Sequence, residues 1–566
     1  MLAHKHITKI VAVVMAAAVC LCLCAVAFSG QLTAWAGDKG IAQEYETALF
    51  DTSSILSVNI QMDEADWNDM LENAMAETYY QCNVEVNGTM FYQVGIRPKG
   101  NTSLSAIAND DTTDRYSFKL EFDHYVDGQT CFGLDKLILN NNYADATNMK
   151  EALIYDMYQY LGADASLYNY AKISVNGEYW GVYLALEGVE DSFQLRNYGT
   201  ESGELYKPES MDMGGGKPED MGDGKDFGNG GPPNTPNQTD ASNQTDAADA
   251  AENAEPGQRP EGEAEPPGGM DRNSGGADLN YTDDDLDSYE TIWDGEITKT
   301  NQADHERVVK ALKNIAAGND LETYMDIDNL LRYMAVHVFS VNEDSLSGMM
   351  AHNYYLYESD GKLSLIPWDY NLALGGMGGG MPGGSAETEE SSGTTSVVNS
   401  PIDDAFSGTD FFDTLMENET YHSQYDDYLQ KLVSEYINGG GFDAFYERVR
   451  SQIDELVETD PTAFYSYDEY ETAAETLYQV VKLRGQSIQG QLDGTIPSTE
   501  EAQRDSDALI DASDLDLSVM GTMNMGGGNG AGGPGGPGES DGAEPPQFGG
   551  NGQAPAKPQN AEKTEH

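Results

Sequence analysis

The sequence predicts an α+β protein, and three observations carry that prediction. Short runs of alternating apolar and polar residues, broken at Asn-Gly and Asp-Gly, fill the first half from Ala48 to Lys207. Apolar residues at helical spacing dominate the second half. Stretches poor in apolar residues and rich in Gly, Pro and acids separate and end these regions, so the packed part is smaller than the 566 residues suggest; the chain has 61 glycines and 21 prolines.

At the N-terminus, Lys5 and Lys9 precede an apolar run from Ile10 to Phe28, and Ala34-Trp35-Ala36 offers a cleavage site before Gly37. Residues 1–36 are therefore expected to be a secretory signal, either cleaved or kept as an uncleaved anchor. Cys20, Cys22 and Cys24 fall inside this segment. Cys82 and Cys131 remain, which permits one disulfide and is equally compatible with two buried thiols. No CxxC or Cys/His cluster supports structural zinc.

The strand-rich region spans residues 48–207. "CNVEVNGTMFYQVGIRP" reads as a hairpin turning at Asn87-Gly88, and "YNYAKISVNGEYWGVYLALEGV" as another turning at Asn176-Gly177; "RYSFKLEFD" and "LDKLILNN" supply strands between them. "DATNMKEALIYDMYQYLG" is helical, starting at Asp145 or Thr147 and stopped by Gly162. Residues 208–279 lack the apolar content to repay their ordering entropy and read as a disordered insertion.

Residues 280–374 hold two helices, "HERVVKALKNIAAG" and "DIDNLLRYMAVHVFSVN", then the strands "HNYYLYES" and "KLSLIPWD", turning at Asp360-Gly361. A second low-complexity insertion is expected over 375–400, helices over 401–495, and a largely disordered tail over 496–566.

The 97 acidic residues outnumber 30 basic ones, for a net charge of −67, which repels nucleic-acid phosphates and anionic headgroups. Nucleic-acid binding is excluded on this ground, and membrane association is left to the N-terminal segment if it stays uncleaved.

Three polar residues stand at the ends of neighbouring elements. Asp344 follows a helix, Asn353 enters a strand, and Asp369 ends the next one. Each alone more often caps or turns a loop. Together they offer hard oxygen ligands suited to Mg²⁺ or Mn²⁺, plus a group to orient or deprotonate a nucleophile, as phosphoryl transfer requires. Positive charge comes from the strand half: Arg97 and Lys99 precede the turn Gly100 to Ser103, whose N–H groups could face an anion. Lys119 points away from the face shared by Phe118, Leu120 and Phe122, as a solvent-facing lysine or a phosphate contact partnered by Glu151. There is no G-x-S-x-G or HExxH, and the histidines show no ligand spacing; His352 reads as a strand residue.

In order, "GIRPKGNTS", "RYSFKLEF", "ISVNGEYWGVYLALEGVED", "GELYKPE", "HNYYLY" and "IPWDYN" resemble the CotH kinase family, named for spore coat protein H. The resemblance runs from about Ala48 to Leu492 apart from the two insertions. It implies a diverged two-lobed protein-kinase-like fold, with a strand-rich N-lobe, a mainly helical C-lobe, and ATP with Mg²⁺ or Mn²⁺ in the cleft. By that resemblance Lys119 is the nucleotide-binding lysine and Glu151 its partner, while Glu187 lies in the hinge hairpin, Leu184 to Glu190. Arg97 and Lys99 cover the phosphates, Asp344 is the base, and Asn353, Asp369 and Asn371 hold metal. The sequence departs from ordinary kinases in lacking G-x-G-x-x-G and H-R-D, in a longer separation of Asp344 from Asn353, and in a neutral Asn371 where many relatives carry Asp. The function implied is that of a secreted or surface protein kinase of a bacterium, acting on a surface or coat protein or on itself. The alternatives are a non-catalytic coat or surface assembly protein and, third, a nucleotidyl transferase.

Overall fold

The computed structural model describes residues 40–209, 275–348, 351–377 and 390–523. The expected signal segment, most of the first insertion, the glycine-rich middle of the second and the end of the tail lie outside these residues.

Seven strands fill the first half: β1 (Leu56–Gln61), β2 (Tyr80–Val86), β3 (Thr89–Lys99), β4 (Ser117–Glu121), β5 (Lys136–Asn140), β6 (Tyr168–Val175) and β7 (Glu178–Glu187). The predicted turns form as read, because their residues tolerate the left-handed backbone a tight hairpin demands: φ is 49° at Asn87 and 81° at Gly88, then 51° at Asn176 and 88° at Gly177. The strands close into a barrel in the order β1-β2-β3-β4-β5-β7-β6. Closure is made by a parallel pairing of β1 with β6, from Leu56 opposite Ala171 to Ile60 opposite Val175.

That closure corrects the two-lobed kinase expectation. The α+β class holds, but the strand half is a closed seven-stranded barrel joined to helices. Alternation and turn residues specify strands and hairpins locally, whereas the meeting of β1 with β6 is a long-range pairing that no local pattern encodes.

Alternation nevertheless decides which side chains go where. Val84, Ile96, Phe118, Leu120, Leu137, Leu139, Ile173 and Tyr183 pack inside the barrel with other apolar residues. Tyr168, Tyr170, Val182, Leu184 and Leu186 take the outer face of β6 and β7 and join a second core shared with the helices. The helix Lys150–Leu161 lies in that second core. Asp145 accepts the N–H groups of Thr147 and Lys150 at its start, and Gly162, at φ 77°, ends it by returning its N–H to Tyr158 and Gln159.

A three-stranded sheet of β8 (Glu204–Tyr206), β9 (Tyr354–Ser359) and β10 (Lys362–Pro367) runs in the order β10-β9-β8. It packs with the helices Gln302–Ala316 and Ile327–Ser340, and Glu419–Lys431, Gly441–Glu458 and Tyr467–Leu492 complete the helical half. Arg115 ties the halves together. Its guanidinium donates to Asp460 Oδ2 and Thr462 Oγ1, each at 2.8 Å, and to the carbonyls of Asn141 and Val182.

Order extends further than composition suggests. Ala277 and Leu279 are buried, and Tyr354 Oη donates to the Ala277 carbonyl at 2.6 Å. Residues Glu390–Val398 form a helix, and Ile496, Ala512 and Met520 are buried. A few apolar anchors suffice to dock each segment on a neighbour, a contact that an average over composition dilutes. Cys82 and Cys131 are both free and buried, so the permitted disulfide does not form; burial pushes the Cys82 thiol up to about 12. Among the described residues no helix is long and apolar enough to cross a membrane.

Candidate active site

A cleft of about 390 Å³ lies between the outer face of β3, β4 and β5, the start of helix Lys150–Leu161, and the chain entering β9 and leaving β10. Strand register builds its floor. Arg97 stands opposite Lys119, which stands opposite Ile138, and Lys99 stands opposite Ser117. Since directly paired residues share a face, these side chains and that of Asn140 all point out of the barrel, while Ile96, Phe118, Leu120 and Leu139 point in. An apolar interior thereby forces a polar, cationic outer face into the cleft.

The deeper charge cluster centres on Lys99. Its Nζ donates to Asn140 Oδ1 at 2.9 Å, and Asn140 Nδ2 donates to Glu151 Oε2 at 2.9 Å. Lys99 also sits 5.6 Å from the centre of the Trp368 ring. Glu151 is buried and its Oε1 has no hydrogen-bond partner. Burial, reinforced by the charge of Asp369, pushes Glu151 up to about 8. Burial likewise raises Asp369, with Lys99 pulling the other way and Asp344 adding to the rise. Lys99 is lowered by burial despite both carboxylates.

Asp369 and Asn353 both adopt left-handed backbone, at φ 59° and 58°, a conformation Asp and Asn reach more readily than most residues. Asn353 Nδ2 donates to Asp344 Oδ2 at 3.1 Å and to its carbonyl at 2.8 Å, and His352 Nε2 lies 2.8 Å from Asp344 Oδ1. Buried Asn342 donates to the Asp369 carbonyl at 3.2 Å. Asn371 lines the same cleft and uses its Nδ2 on the Tyr143 carbonyl at 2.9 Å. Asp344, Asn353, Asp369, Asn371, Lys99 and Glu151 are thus brought together.

A second cluster lies further along the floor. Lys119 and Lys136 share Glu190, at 3.3 and 3.0 Å, and Arg97 pairs with Glu77. Lys119 therefore lines the cleft without meeting Glu151. The β3 strand places Lys99 two residues beyond the partner of Lys119, next to Asn140, and Lys99 takes the position near Glu151 expected of Lys119. Glu187 is outside the cleft lining: fully buried, it binds Arg196 Nε at 2.9 Å and Nη2 at 2.6 Å and accepts from Tyr45 Oη at 2.6 Å.

Several cleft residues carried a signal that went unread. Lys207 and Glu209, which pair with each other, sit inside the motif "GELYKPE". His352 adjoins Asn353 and is a cleft residue rather than a bystander in a strand. Asn140 ends an apolar strand in the way that singles out Asp369. Met523 lines the cleft from the far end of the described chain, which no motif announces.

The donor set suits a hard divalent cation. Two carboxylates, two amide side chains whose nitrogens are already engaged, and the unpartnered Glu151 oxygen converge where burial and nearby negative charge disfavour the charged forms of Asp369 and Glu151. A bound cation would relieve that repulsion.

Fold and cleft define an α+β protein whose barrel presents recessed lysines to opposed carboxylates. Residues 96–488 match the family model described as CotH kinase protein, and the chain belongs to this family. That membership carries a kinase or spore-coat role, with ATP and a divalent metal as the general ligands of such an activity. No curated protein matches the chain.

Proposed function

We propose that this chain is an exported phosphotransferase that moves the γ-phosphoryl group of ATP to a hydroxyl of a surface or coat protein, its own chain included. The observation that carries the reading is the convergence of Lys99 with Glu151, Asp344 and Asp369 in one cleft. Lys99, held by Asn140, which in turn donates to Glu151, is the phosphate contact nearest the carboxylates, and Arg97 and Lys119 offer positive charge further along the floor. Asp369 and Asn353, with Asn371, would hold Mg²⁺ or Mn²⁺, which when bound offsets the negative charge of the phosphate oxygens. Asp344 accepts the proton of the attacking hydroxyl as the new O–P bond forms and the bond to the β-phosphate oxygen breaks, releasing ADP. The apolar run behind Lys5 and Lys9 supports export.

The test is transfer of labelled phosphate from ATP by the purified chain with Mg²⁺ or Mn²⁺, with product mass separating phosphate from AMP. Asp369→Ala is expected to cut the rate by on the order of a hundredfold or more. Equal rates in wild type and variant would sink the proposal. ATP binding without transfer to any protein, itself included, would instead favour the assembly role.

A further inference from the structure

Three of the carboxylates lining the cleft stand on three different elements: Asp344 on its loop, Asp369 just past the end of β10, and Glu151 on the helix Lys150–Leu161. One buried histidine touches or reaches all three. His337, in the last turn of helix Ile327–Ser340, is 2% exposed. Its Nδ1 lies 3.0 Å from Tyr370 Oη, and Tyr370 directly follows Asp369. Its Nε2 lies 2.7 Å from Ser347 Oγ and 3.2 Å from Ser345 Oγ, and Ser345 directly follows Asp344. Tyr370 Oη is in turn 2.6 Å from Tyr158 Oη, two turns along the helix from Glu151.

We infer that His337 is a positioning residue that sets the spacing of Asp344 and Asp369, and through it the affinity of the cleft for a divalent cation. The inference rests on the phosphotransferase reading only for the choice of Asp344 and Asp369. A neutral imidazole has one donor and one acceptor, and each hydroxyl it meets can take the complementary role, so both loops are held without an unpaired proton. Burial drives the ring's pKa down to about 3, which keeps it neutral at ordinary pH. The ring also stacks on Tyr333 at 5.5 Å and packs against Phe406 at 4.9 Å, leaving its plane little freedom. Phenylalanine would satisfy that packing, so the core alone does not call for two ring nitrogens here. Asn342, which bonds the Asp344 and Asp369 carbonyls, fixes the same loops at the backbone. His337 adds the hold at the side chains.

The experiment is calorimetric titration of the full chain with Mn²⁺ alone. His337→Phe is expected to weaken Mn²⁺ binding about tenfold. Tyr370→Phe should weaken it in the same direction, and the double variant should be little worse than either single one. His337→Gln, which keeps one polar end, should fall between. Should His337→Phe fail to fold, Ser347→Ala, at the more exposed end of the contact, is expected to cost about threefold in Mn²⁺ affinity. Mn²⁺ binding within twofold of wild type in His337→Phe, or in Ser347→Ala if that is the variant that folds, would overturn the inference. So would a wild-type chain that binds no Mn²⁺. Weakened Mn²⁺ binding in a chain that transfers no phosphate would uphold the positioning role and overturn the phosphotransferase reading alone.

Discussion

Replacing Arg115 by methionine should destabilise the protein substantially, because the side chain joins the barrel to the helical half with almost no solvent. Its side chain is 2% exposed and that of Asp460 1%. Removing the guanidinium leaves the Asp460 carboxylate buried beside only the Val182 N–H and its own loop, and strips a donor from the carbonyls of Asn141 and Val182. It also removes the cation from above the Tyr183 ring, 4.7 Å away. Breaking one side of a buried pair costs about 3–5 kcal/mol, because the remaining charge is uncompensated. For roughly 400 described residues the unfolding entropy is about 0.8 kcal/mol per kelvin, so the expected fall in Tm is about 4–6 °C. Differential scanning calorimetry would read it directly. The double variant Arg115→Met with Asp460→Leu removes both charges and should regain most of the loss. A fall below about 1 °C in the single variant, or a double variant no better than the single one, would refute the argument that the buried charges are what couple the halves.

Glu151→Gln should stabilise the protein increasingly as pH rises. The folded carboxyl, held at about 8, binds its proton more tightly than the unfolded one at 4.5, so wild-type stability falls between those values as pH increases. Below that window the two proteins should melt alike, and by pH 9 in EDTA the variant should lead by on the order of 1 kcal/mol or more; a gap that stays flat or reverses contradicts it. Nucleotide affinity distinguishes the two lysines. Lys99→Met is expected to weaken ATP binding about 10- to 100-fold and Lys119→Met about threefold or less, since Lys119 is already paired with Glu190, away from Asp344, Asp369 and Glu151. Thermal shift with ATP and Mn²⁺ reads both, and the opposite ranking would return the phosphate contact to Lys119.

Much of the site was legible because hydrophobic patterning is strict on both sides of it. The alternation through Phe118, Leu120 and Phe122 turns Lys119 away from the core, and the polar residues at a strand's entry and exit, Asn353 and Asp369, are ones that line the cleft. Pairing between distant segments was not legible. Choosing Lys99 over Lys119 as the neighbour of Glu151 needs the β3/β4 register, and expelling Glu187 from the cleft needs Arg196 and Tyr45, which arrive from a later helix and from before β1. The fold failed to follow from sequence for the same reason, since a barrel differs from an open sheet only in whether its first strand meets a late one. His352 was missed through its neighbour: one polar residue at a strand entry looks structural until the loop folds back to bring Asp344 against it.

The β1–β6 seam also lies partly outside the stretch that the family model matches, although it closes the barrel to which that stretch belongs. The family match begins at Ile96, inside β3, and so leaves out β1, β2 and most of β3. A chain trimmed to residues 96–488 would lose the two strands that link β3 to β6. The backbone groups of both rims would then lie bare and ready to pair with other molecules. Its far end would be cut as well, removing the Met523 segment whose N–H bonds Gly376 and whose side chain lines the cleft. The segment that the family model matches therefore holds only part of the barrel it belongs to, and the strands it leaves out are what keep the lysine-bearing face from becoming an open edge.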